Sequence, residues 1–479
     1  MFGLMEITGQ LDEATKLAII PTVVLPFTII GMILTSVATW LAALFGFELK
    51  AEGPKRLFEV LMKPKVLALA LVSNLIVYGA IKGAQHLSNG PYPLWWVQLQ
   101  NASPQPSDRN YEHTNQPSLA TTATAVTSSN DLEVVWELPL KSVVFGLPLV
   151  TGDSLFAGLE KGRLIEVDLK SGQLLRKFEI GQPVMASPVI ANNKIYVGEG
   201  IHLTYNARIY SFDLTSGAFV GAFQTAGHIE RAAVYTKTPD QSLLLFPAGK
   251  DGLYAINPET MQKVWQAPFG HFDTFPAVDD EQAYIGSGLE AGFEEAPTKA
   301  FAINLQTGKV VWEKPLPTSV WGIPVLWNNV VCLPTGDVYK NLKFGQLSCY
   351  EKASGKDYCI FNTTGSLISQ PIVRGDHLVV SDIYGKIYQF NLKTRQLEWT
   401  LQVPTKGLSY ASVSIDSQDR ILLPGEEGLY VYSRANQALL SVWKPEGKWP
   451  GTFNNIVAYK DLMILADQAG VLRALRFKN

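Results

Sequence analysis

The feature that most constrains this chain is a hairpin pattern, seen most clearly in KAFAINLQTGKVVWEKPL from Lys299 to Leu316. Ala302 to Asn304 end one strand, and Thr307-Gly308 supplies a tight turn because glycine adopts φ > 0 without a steric cost. Val310 to Trp312 then provide a β-branched and aromatic return strand. Similar hairpins begin at Arg163, Arg208, Gly252, Gln346, Lys386 and Gly428. Such recurrence predicts a repeat architecture.

The spacing of the hairpins predicts the number of units. The residues at which strand meets turn recur every 40 to 47 residues, at Asp168, Asp213, Asn257, Asn304, Glu351, Asn391 and Ser433. This period suits a four-stranded blade, and two earlier strands, such as Ser187 to Ile190 and Lys194 to Val197, precede each hairpin. One more step reaches Leu475, which has no room for a return strand before Asn479.

The missing return strand lies at the other end of the repeat region. Glu133 to Glu137 reads EVVWE and copies the return strand around Trp312 without a strand before it. Pairing the first strand with the last would close a ring and remove the open sheet edge. Residues 132–479 are therefore predicted to form an all-β, eight-bladed β-propeller.

The pattern of a small residue, Asp or Asn, then Thr/Ser-Gly and Trp resembles the repeat of the quinoprotein dehydrogenases. It also resembles the non-catalytic propeller lipoprotein of the bacterial outer-membrane β-barrel assembly machinery. The resemblance implies the fold more than the function, because these residues form blades in enzymes and scaffolds alike. We expect the tryptophans at the repeat position to pack between blades: Trp136, Trp265, Trp312 and Trp399. Junctions with another residue there should pack differently: Arg176, Gly221, Cys359 and Ser441.

Composition argues against several classes of ligand. The 40 basic and 43 acidic residues nearly balance, and the repeat region has no long basic run, so nucleic acid is not an expected partner. Three cysteines without a C-x-x-C and six scattered histidines show no metal-ligand spacing. The sequence therefore predicts no metal and no cofactor.

The first 96 residues are predicted to anchor the chain in a membrane. Residues 17–47 carry no charge and, at about 1.5 Å per residue, exceed the roughly 30 Å hydrocarbon core. A cleaved signal peptide is the alternative, but acidic residues precede this run. A second, shorter span is predicted at about 66–84, with a re-entrant or interfacial helix as its alternative.

Loop charge sets the predicted orientation. The connection at 48–65 contains five basic residues, whereas the segment before the first span has only Lys16. By the positive-inside rule the connection is cytoplasmic, and the propeller lies in the periplasm at a bacterial inner membrane. Residues 97–131 are rich in Ser, Thr, Asn, Gln and Pro and are predicted to form a flexible linker, or a segment pinned along a partner.

One face of the predicted propeller carries the connections between blades and between second and third strands. Three of the latter are extended: 198–207, 288–299 and 335–345. Loops on a rigid scaffold often carry function. The candidate interaction rim on this face is Phe145, Arg231, Phe272, Asp273, Trp321, Tyr410, Trp449 and Phe453. Its aromatic character is typical of an interaction surface, although these rings could instead plug the axial channel.

Two functions remain open at this point. The first is an interaction scaffold, or an accessory subunit of an inner-membrane protein complex, without a catalytic residue. The second, implied by the resemblance, is a quinone-dependent dehydrogenase with bound calcium, a vicinal disulfide and an acidic base. The sequence has no adjacent cysteine pair, and Asp273 and Glu230 are the rim carboxylates that could act as the base.

The three cysteines allow different pairings. Cys349 and Cys359 should face each other across one hairpin, at a Cβ separation near that of a disulfide. An extracytoplasmic location favours oxidation. Cys332, on the preceding strand, could compete for Cys349, and three reduced, buried thiols are the other alternative.

Overall fold

Four-stranded antiparallel sheets account for the regular structure of the repeat region. The computed structural model describes residues 131–202, 204–288, 298–338, 342–405, 407–447, 449–452 and 456–478. The predicted spans at 17–47 and 66–84, the predicted linker up to residue 130, and Phe453 lie outside these residues. Among the residues described, no helix is long and apolar enough to span a membrane.

Eight sheets follow one another along the chain, and we number them as blades 1 to 8. The strands of blades 1 to 4 are β2 (Leu149–Thr151), β3 (Ser154–Leu159), β4 (Arg163–Asp168), β5 (Leu174–Glu179); β6 (Val189–Ala191), β7 (Lys194–Gly198), β8 (Arg208–Asp213), β9 (Phe219–Gln224); β10 (Val234–Lys237), β11 (Ser242–Pro247), β12 (Leu253–Asn257), β13 (Gln262–Ala267); β14 (Ala277–Val278), β15 (Gln282–Gly286), β16 (Lys299–Asn304) and β17 (Val310–Pro315).

The remaining blades follow the same order. Their strands are β18 (Val325–Trp327), β19 (Val330–Gly336), β20 (Gly345–Glu351), β21 (Asp357–Thr363); β22 (Ile372–Arg374), β23 (His377–Ser381), β24 (Lys386–Asn391), β25 (Gln396–Gln402); β26 (Ser414–Ile415), β27 (Arg420–Pro424), β28 (Leu429–Ser433), β29 (Leu439–Trp443); β30 (Val457–Tyr459), β31 (Leu462–Ala466), β32 (Val471–Phe477), and β1 (Leu132–Pro139), which completes blade 8.

Blade 8 closes the ring by joining the two ends of the repeat region. Strand β1 pairs antiparallel with β32, from Leu132 opposite Phe477 to Pro139 opposite Val471. The guanidinium of Arg473 reaches Glu137 at 2.5 Å, so an ion pair supports the junction. The predicted eight-bladed fold, including its split blade, is confirmed.

The hydrophobic core lies between neighbouring blades. One buried cluster joins Phe156 and Leu164 of blade 1 to Tyr210 and Phe212 of blade 2. Second and third strands are buried almost throughout, whereas fourth strands such as β25 are mostly exposed. Each blade therefore gains its stability by covering the face of the next.

The four tryptophans of the repeat pack between consecutive blades, as predicted; Trp399 does so partly buried, against the cluster shared by blades 6 and 7, and the other three share one hydrogen bond. The indole N–H of Trp312 donates to the carbonyl of Lys352 in the next blade at 2.7 Å. Trp136 and Trp265 make the equivalent bonds to Leu169 and Leu305. Each of these three indoles also covers the turn glycine of the next blade, so a large side chain there would collide with the ring.

At Arg176 and Cys359, two of the four positions without this tryptophan, the junctions use other contacts, as predicted. Arg176 occupies the position in blade 1, pairs with Glu166 and donates to the carbonyl of Leu214 at 2.7 Å. In blade 5 the neighbour of Cys359, Tyr358, donates its hydroxyl to the carbonyl of Leu392 at 3.1 Å. In each of these junctions the acceptor is thus the carbonyl of the residue directly after the one at which the third strand meets the turn, which we call the turn-entry residue.

The cysteine pairing differs from the bridge considered between Cys349 and Cys359. Those two residues do face each other in the register of β20 and β21, but Cys332 on β19 forms the disulfide with Cys349. The Cα atoms of the bonded pair are 4.1 Å apart and both residues are fully buried. Because Cys349 is bonded to Cys332, Cys359 remains a free thiol, and the alternative of three reduced thiols is wrong as well.

Candidate functional site

One connection within blade 2 and the connections from blade 2 to blade 3 and from blade 3 to blade 4 bring histidines and carboxylates together. His202 follows β7, His228 follows β9, and His271 and Asp273 follow β13. Because the strands alternate in direction, second-to-third connections and connections between blades emerge on the same side of the ring. We call this side the loop face, and the opposite side, with the turns between third and fourth strands, the turn side.

Backbone hydrogen bonds hold these connections in register. The amide of Ile229 donates to the carbonyl of Glu199 at 3.0 Å, and that of Phe272 donates to Gly249 at 3.1 Å. The amide of Gly288 donates to the carbonyl of His271 at 2.7 Å. Each connection between blades is therefore bonded to the blade beside it, which positions its side chains rigidly.

Gly249 makes room for one of the histidines. Its φ is +53°, in the left-handed region, and a Cβ there would lie 2.5 Å from Cε1 of His228. A side chain would therefore displace the imidazole as well as strain the backbone. The close approach of backbone and ring fixes the position of His228.

Asp273 lies at the centre of the cluster. Its Oδ1 is 3.0 Å from Nε2 of His228, and its Oδ2 is 2.8 Å from Nε2 of His271. Asp273 is 1% exposed and both imidazoles are buried. One ligand atom from each of His202, His228, His271 and Asp273 lies within 4.8 Å of all the others.

Three further residues, Glu230, Arg231 and Trp321, contact the cluster. Nδ1 of His202 lies 3.3 Å from Oε1 of buried Glu230, although the two atoms are poorly aligned for a hydrogen bond. Arg231 donates its Nε–H to the backbone carbonyl of Asp273 at 2.7 Å. The ring of Trp321 meets the ring of His202 edge to face at 5.8 Å.

The surroundings shift the pKa values of three buried acids in different directions. Burial alone would raise the pKa of Asp273, but the hydrogen bonds and charges of His228 and His271 outweigh it and hold the pKa well below its usual range. Burial raises the pKa of Glu230, and the negative charge of Asp273 raises it further. Burial also raises the pKa of Glu199, which accepts a hydrogen bond from Tyr210, to about 8.

The structure brings three of the predicted rim residues together: Arg231, Asp273 and Trp321. Three others lie in connections of different blades on the same face: Phe145, Tyr410 and Trp449. Tyr410 is exposed, whereas the indole of Trp449 donates to the carbonyl of Gly425 at 3.0 Å. Phe453 lies outside the described residues.

Phe272 occupies the blade core and not the surface of the rim. It is almost fully buried and meets Phe301 edge to face at 5.8 Å. The corresponding residues of the neighbouring connections, Ile229 and Val320, are also fully buried. The residues that follow them, Glu230, Asp273 and Trp321, contact the histidine cluster instead.

The sequence analysis missed the three histidines, although a signal was present. Gly227-His228-Ile229-Glu230 and Gly270-His271-Phe272-Asp273 have the same pattern at the same place before the first strand of consecutive blades. Alignment of the repeats on those first strands would have placed both histidines at one register position. His202 carries no such signal, because its loop joins second and third strands.

The residues present do not fit a calcium-bound quinone. The disulfide joins two strands and is not vicinal. Asp273 is engaged by two imidazoles, whereas calcium prefers an all-oxygen donor set. The donors gathered here are instead those of a borderline transition metal.

Comparison with known proteins assigns this β-propeller to a family. The closed ring of four-stranded blades with inter-blade tryptophans defines a β-propeller of the quinoprotein-like repeat class. The family model described as outer membrane protein assembly factor BamB matches residues 113–314, 249–341 and 302–439. This chain belongs to that family.

Individual relatives are distant. Tetrathionate hydrolase of Acidithiobacillus ferrooxidans is 23% identical over 332 residues, which are 61% of this chain and 63% of that protein. The assembly factor BamB of Nitrosomonas eutropha is 20% identical over 266 residues, 52% of this chain and 59% of that protein. The chain thus spans about three fifths of the length of these relatives.

Solved structures agree on the fold. The crystal structure of BamB from Moraxella catarrhalis superposes with a TM-score of 0.56 at 15% sequence identity. The match covers 72% of this chain and 100% of that one. At this identity the likeness establishes a common propeller architecture.

Proposed function

We propose that this chain is a membrane-anchored, extracytoplasmic propeller that serves as a scaffold or accessory subunit of a protein complex at the bacterial inner membrane. Membership of the BamB family, whose name describes an assembly factor, supports a role in binding. The membrane anchor rests on the uncharged run at 17–47 and the basic connection at 48–65.

The observation that carries the extracytoplasmic part of the proposal is the disulfide. Cys332 and Cys349 are paired on adjacent strands and fully buried. Disulfides persist in oxidising compartments such as the periplasm and are rare in the cytosol. The pairing therefore agrees with the orientation deduced from loop charge.

Exposed hydrophobic side chains on the loop face support a role in docking. Ile201 and Tyr205 belong to the connection after β7, and Leu408 and Tyr410 belong to the connection after β25; all four are exposed. Tyrosine is enriched at interface cores because it combines a large apolar ring with a hydroxyl. These positions are the proposed contact points for a partner.

Affinity purification of the full-length chain from solubilised membranes tests this function. We expect a membrane protein in stoichiometric amount, and we expect the Tyr205→Ala, Tyr410→Ala double variant to recover much less of it. The matched control is Leu397→Ala, Leu439→Ala, which removes exposed apolar groups from fourth strands at the outer edge. Equal loss in both variants, or a chain that purifies alone, would contradict the proposal.

The enzymatic alternative is tested on the same purified chain. The similarity to tetrathionate hydrolase favours a hydrolytic activity as the second candidate. A quinone-dependent dehydrogenase is implied by the resemblance of the repeat, although the donors around Asp273 do not fit a calcium-bound quinone. Tetrathionate consumption, or quinone binding with dye reduction by alcohols or sugars, would replace the scaffold proposal. The absence of both, with a stoichiometric partner, would support it.

A further inference from the structure

We propose that His202, His228, His271 and Asp273 bind a divalent transition metal of the zinc class on the loop face. Three imidazole nitrogens and one carboxylate oxygen are common zinc donors, and four is the usual coordination number. Donors bonded tetrahedrally to zinc at about 2.0–2.1 Å are about 3.3 Å apart. The four donor atoms here all lie within 4.8 Å of one another, so small side-chain rotations complete the site.

The donor types select the class of metal. Calcium and magnesium prefer oxygen ligands, and soft ions such as Cu(I) prefer sulfur. The bonded cysteines belong to blade 5 and do not contribute a thiolate. Imidazole with one carboxylate suits zinc and its neighbours in the first transition row.

Hydrogen bonding without a metal accounts for only part of the arrangement. His228 and His271 alone satisfy both oxygens of Asp273 at 3.0 and 2.8 Å. Such a network does not require a third imidazole, yet a nitrogen of His202, from a different loop, lies within 4.8 Å of the other three donor atoms. A divalent ion would also balance the negative charge of buried Asp273.

Outer contacts of the kind that hold metal ligands are present. Oε1 of Glu230 lies 3.3 Å from Nδ1 of His202 without a hydrogen bond, and a small rotation of either side chain would let this carboxylate orient the histidine as carboxylates orient metal ligands. Arg231 holds the backbone of Asp273 through its carbonyl. The proposed ligands are thus supported from two sides.

The site has an open side. The side chain of His202 is 38% exposed, whereas those of His228, His271 and Asp273 are at most 9% exposed. An ion can therefore enter over His202 while the other three ligands remain fixed by their loops.

Zinc titration of the untagged, full-length chain in detergent tests the proposal. After treatment with a chelator, we expect one zinc ion per chain in competition with a chromophoric indicator. We also expect Co²⁺ to give intense visible bands of a four- or five-coordinate ion. His202→Ala should weaken zinc binding by at least about 100-fold, and Glu230→Gln by about 10–100-fold.

The matched control is His377→Ala. His377 lies in blade 6, and its Nε2 is 3.3 Å from Glu398, so it reproduces the His202–Glu230 pair away from the cluster. Zinc affinity should be unchanged in this variant, and zinc should raise the melting temperature of the wild type but not of His202→Ala. Failure of the wild type to bind one ion, or equal affinity in His202→Ala, would overturn the proposal.

Discussion

The turn side and the loop face use the same repeat in different ways. On the turn side, Trp136, Trp265 and Trp312 make one contact three times, each with the carbonyl after the turn-entry residue of the next blade. On the loop face, one register position in three successive connections holds Glu230, Asp273 and Trp321. Repetition on one side maintains the ring, and variation on the other side creates a site.

The difference follows from what each side must satisfy. A blade junction must bury apolar surface and pair the same backbone carbonyl each time, so similar residues recur. The loop face has no such common requirement once its backbone is pinned by bonds such as that from Ile229 to Glu199. Its side chains are free to differ between blades, and a mixed cluster can form.

The largest expected effect comes from removing a repeated junction. Trp312→Ala should lower the free energy of unfolding by about 3–5 kcal/mol, because it leaves a cavity beside Gly355 and removes the bond to Lys352. Urea denaturation measures this. Trp399→Ala is the comparison and should lose less stability, since Trp399 is only partly buried. An equal loss of stability in both variants would contradict a special role for the buried indole and its hydrogen bond.

The disulfide should rank second. Its cysteines are 17 residues apart, so Cys332→Ala should cost about 3 kcal/mol through the greater entropy of the unfolded chain. A reductant should lower the free energy of unfolding of the wild type by a similar amount in denaturation experiments. It should leave that of Cys332→Ala unchanged.

Mass spectrometry of the unreduced chain checks the pairing itself. Burial raises the pKa of Cys359 to about 11, so this thiol stays protonated and should react slowly until the protein is denatured. We expect one alkylated cysteine after denaturation, Cys359, and a linked peptide pair from the other two. A linked peptide containing Cys359 would contradict the assignment.

Alanine variants of two turn glycines distinguish the cost of overpacking from the cost of backbone strain. Gly355 and Gly375 have φ of +67° and +59°, but a Cβ on Gly355 would lie 2.7 Å from Cδ2 of Trp312, while one on Gly375 meets nothing within 4 Å. Both alanine variants incur the backbone cost of about 1–2 kcal/mol. Gly355→Ala should be less stable than Gly375→Ala by a further 1–3 kcal/mol or so, from overpacking. Equal melting curves would show that the indole yields without cost.

The smallest effect concerns a carboxylate on the loop face outside the cluster. Burial raises the pKa of Asp382 above its usual 3.8, despite hydrogen bonds from Tyr388 and backbone amides. The native state therefore holds this proton more tightly, and the associated stability is present below pH 3.8 and lost as pH rises through the folded pKa.

Asp382→Asn should remove that dependence. The difference in unfolding free energy between variant and wild type should change by at most about 1.4 kcal/mol per pH unit, just above pH 3.8, and then become constant. Thermal melts across this range measure it. A difference that does not vary with pH would contradict the raised pKa.

The sequence by itself determined the blades, their number and the closing strand. The turn of a hairpin is specified locally, since Asn304, Thr307 and Gly308 favour it without reference to the rest of the chain. Because the hairpin recurs at a regular spacing, the sequence also predicts a ring of similar blades. It also predicted that Arg176, Gly221, Cys359 and Ser441 would mark different junctions, because they interrupt the pattern.

Tertiary structure decided which residues meet across blades. The approach of His202, His228 and Asp273 depends on the rotation between neighbouring blades and on backbone bonds between connections, neither of which leaves a local sequence pattern. The cysteine pairing was decided in the same way, because Cys349 faces Cys332 on one neighbouring strand and Cys359 on the other, and register alone does not choose between them. Spacing along a chain specifies local geometry, whereas contacts between distant loops are set by the packing of the whole ring.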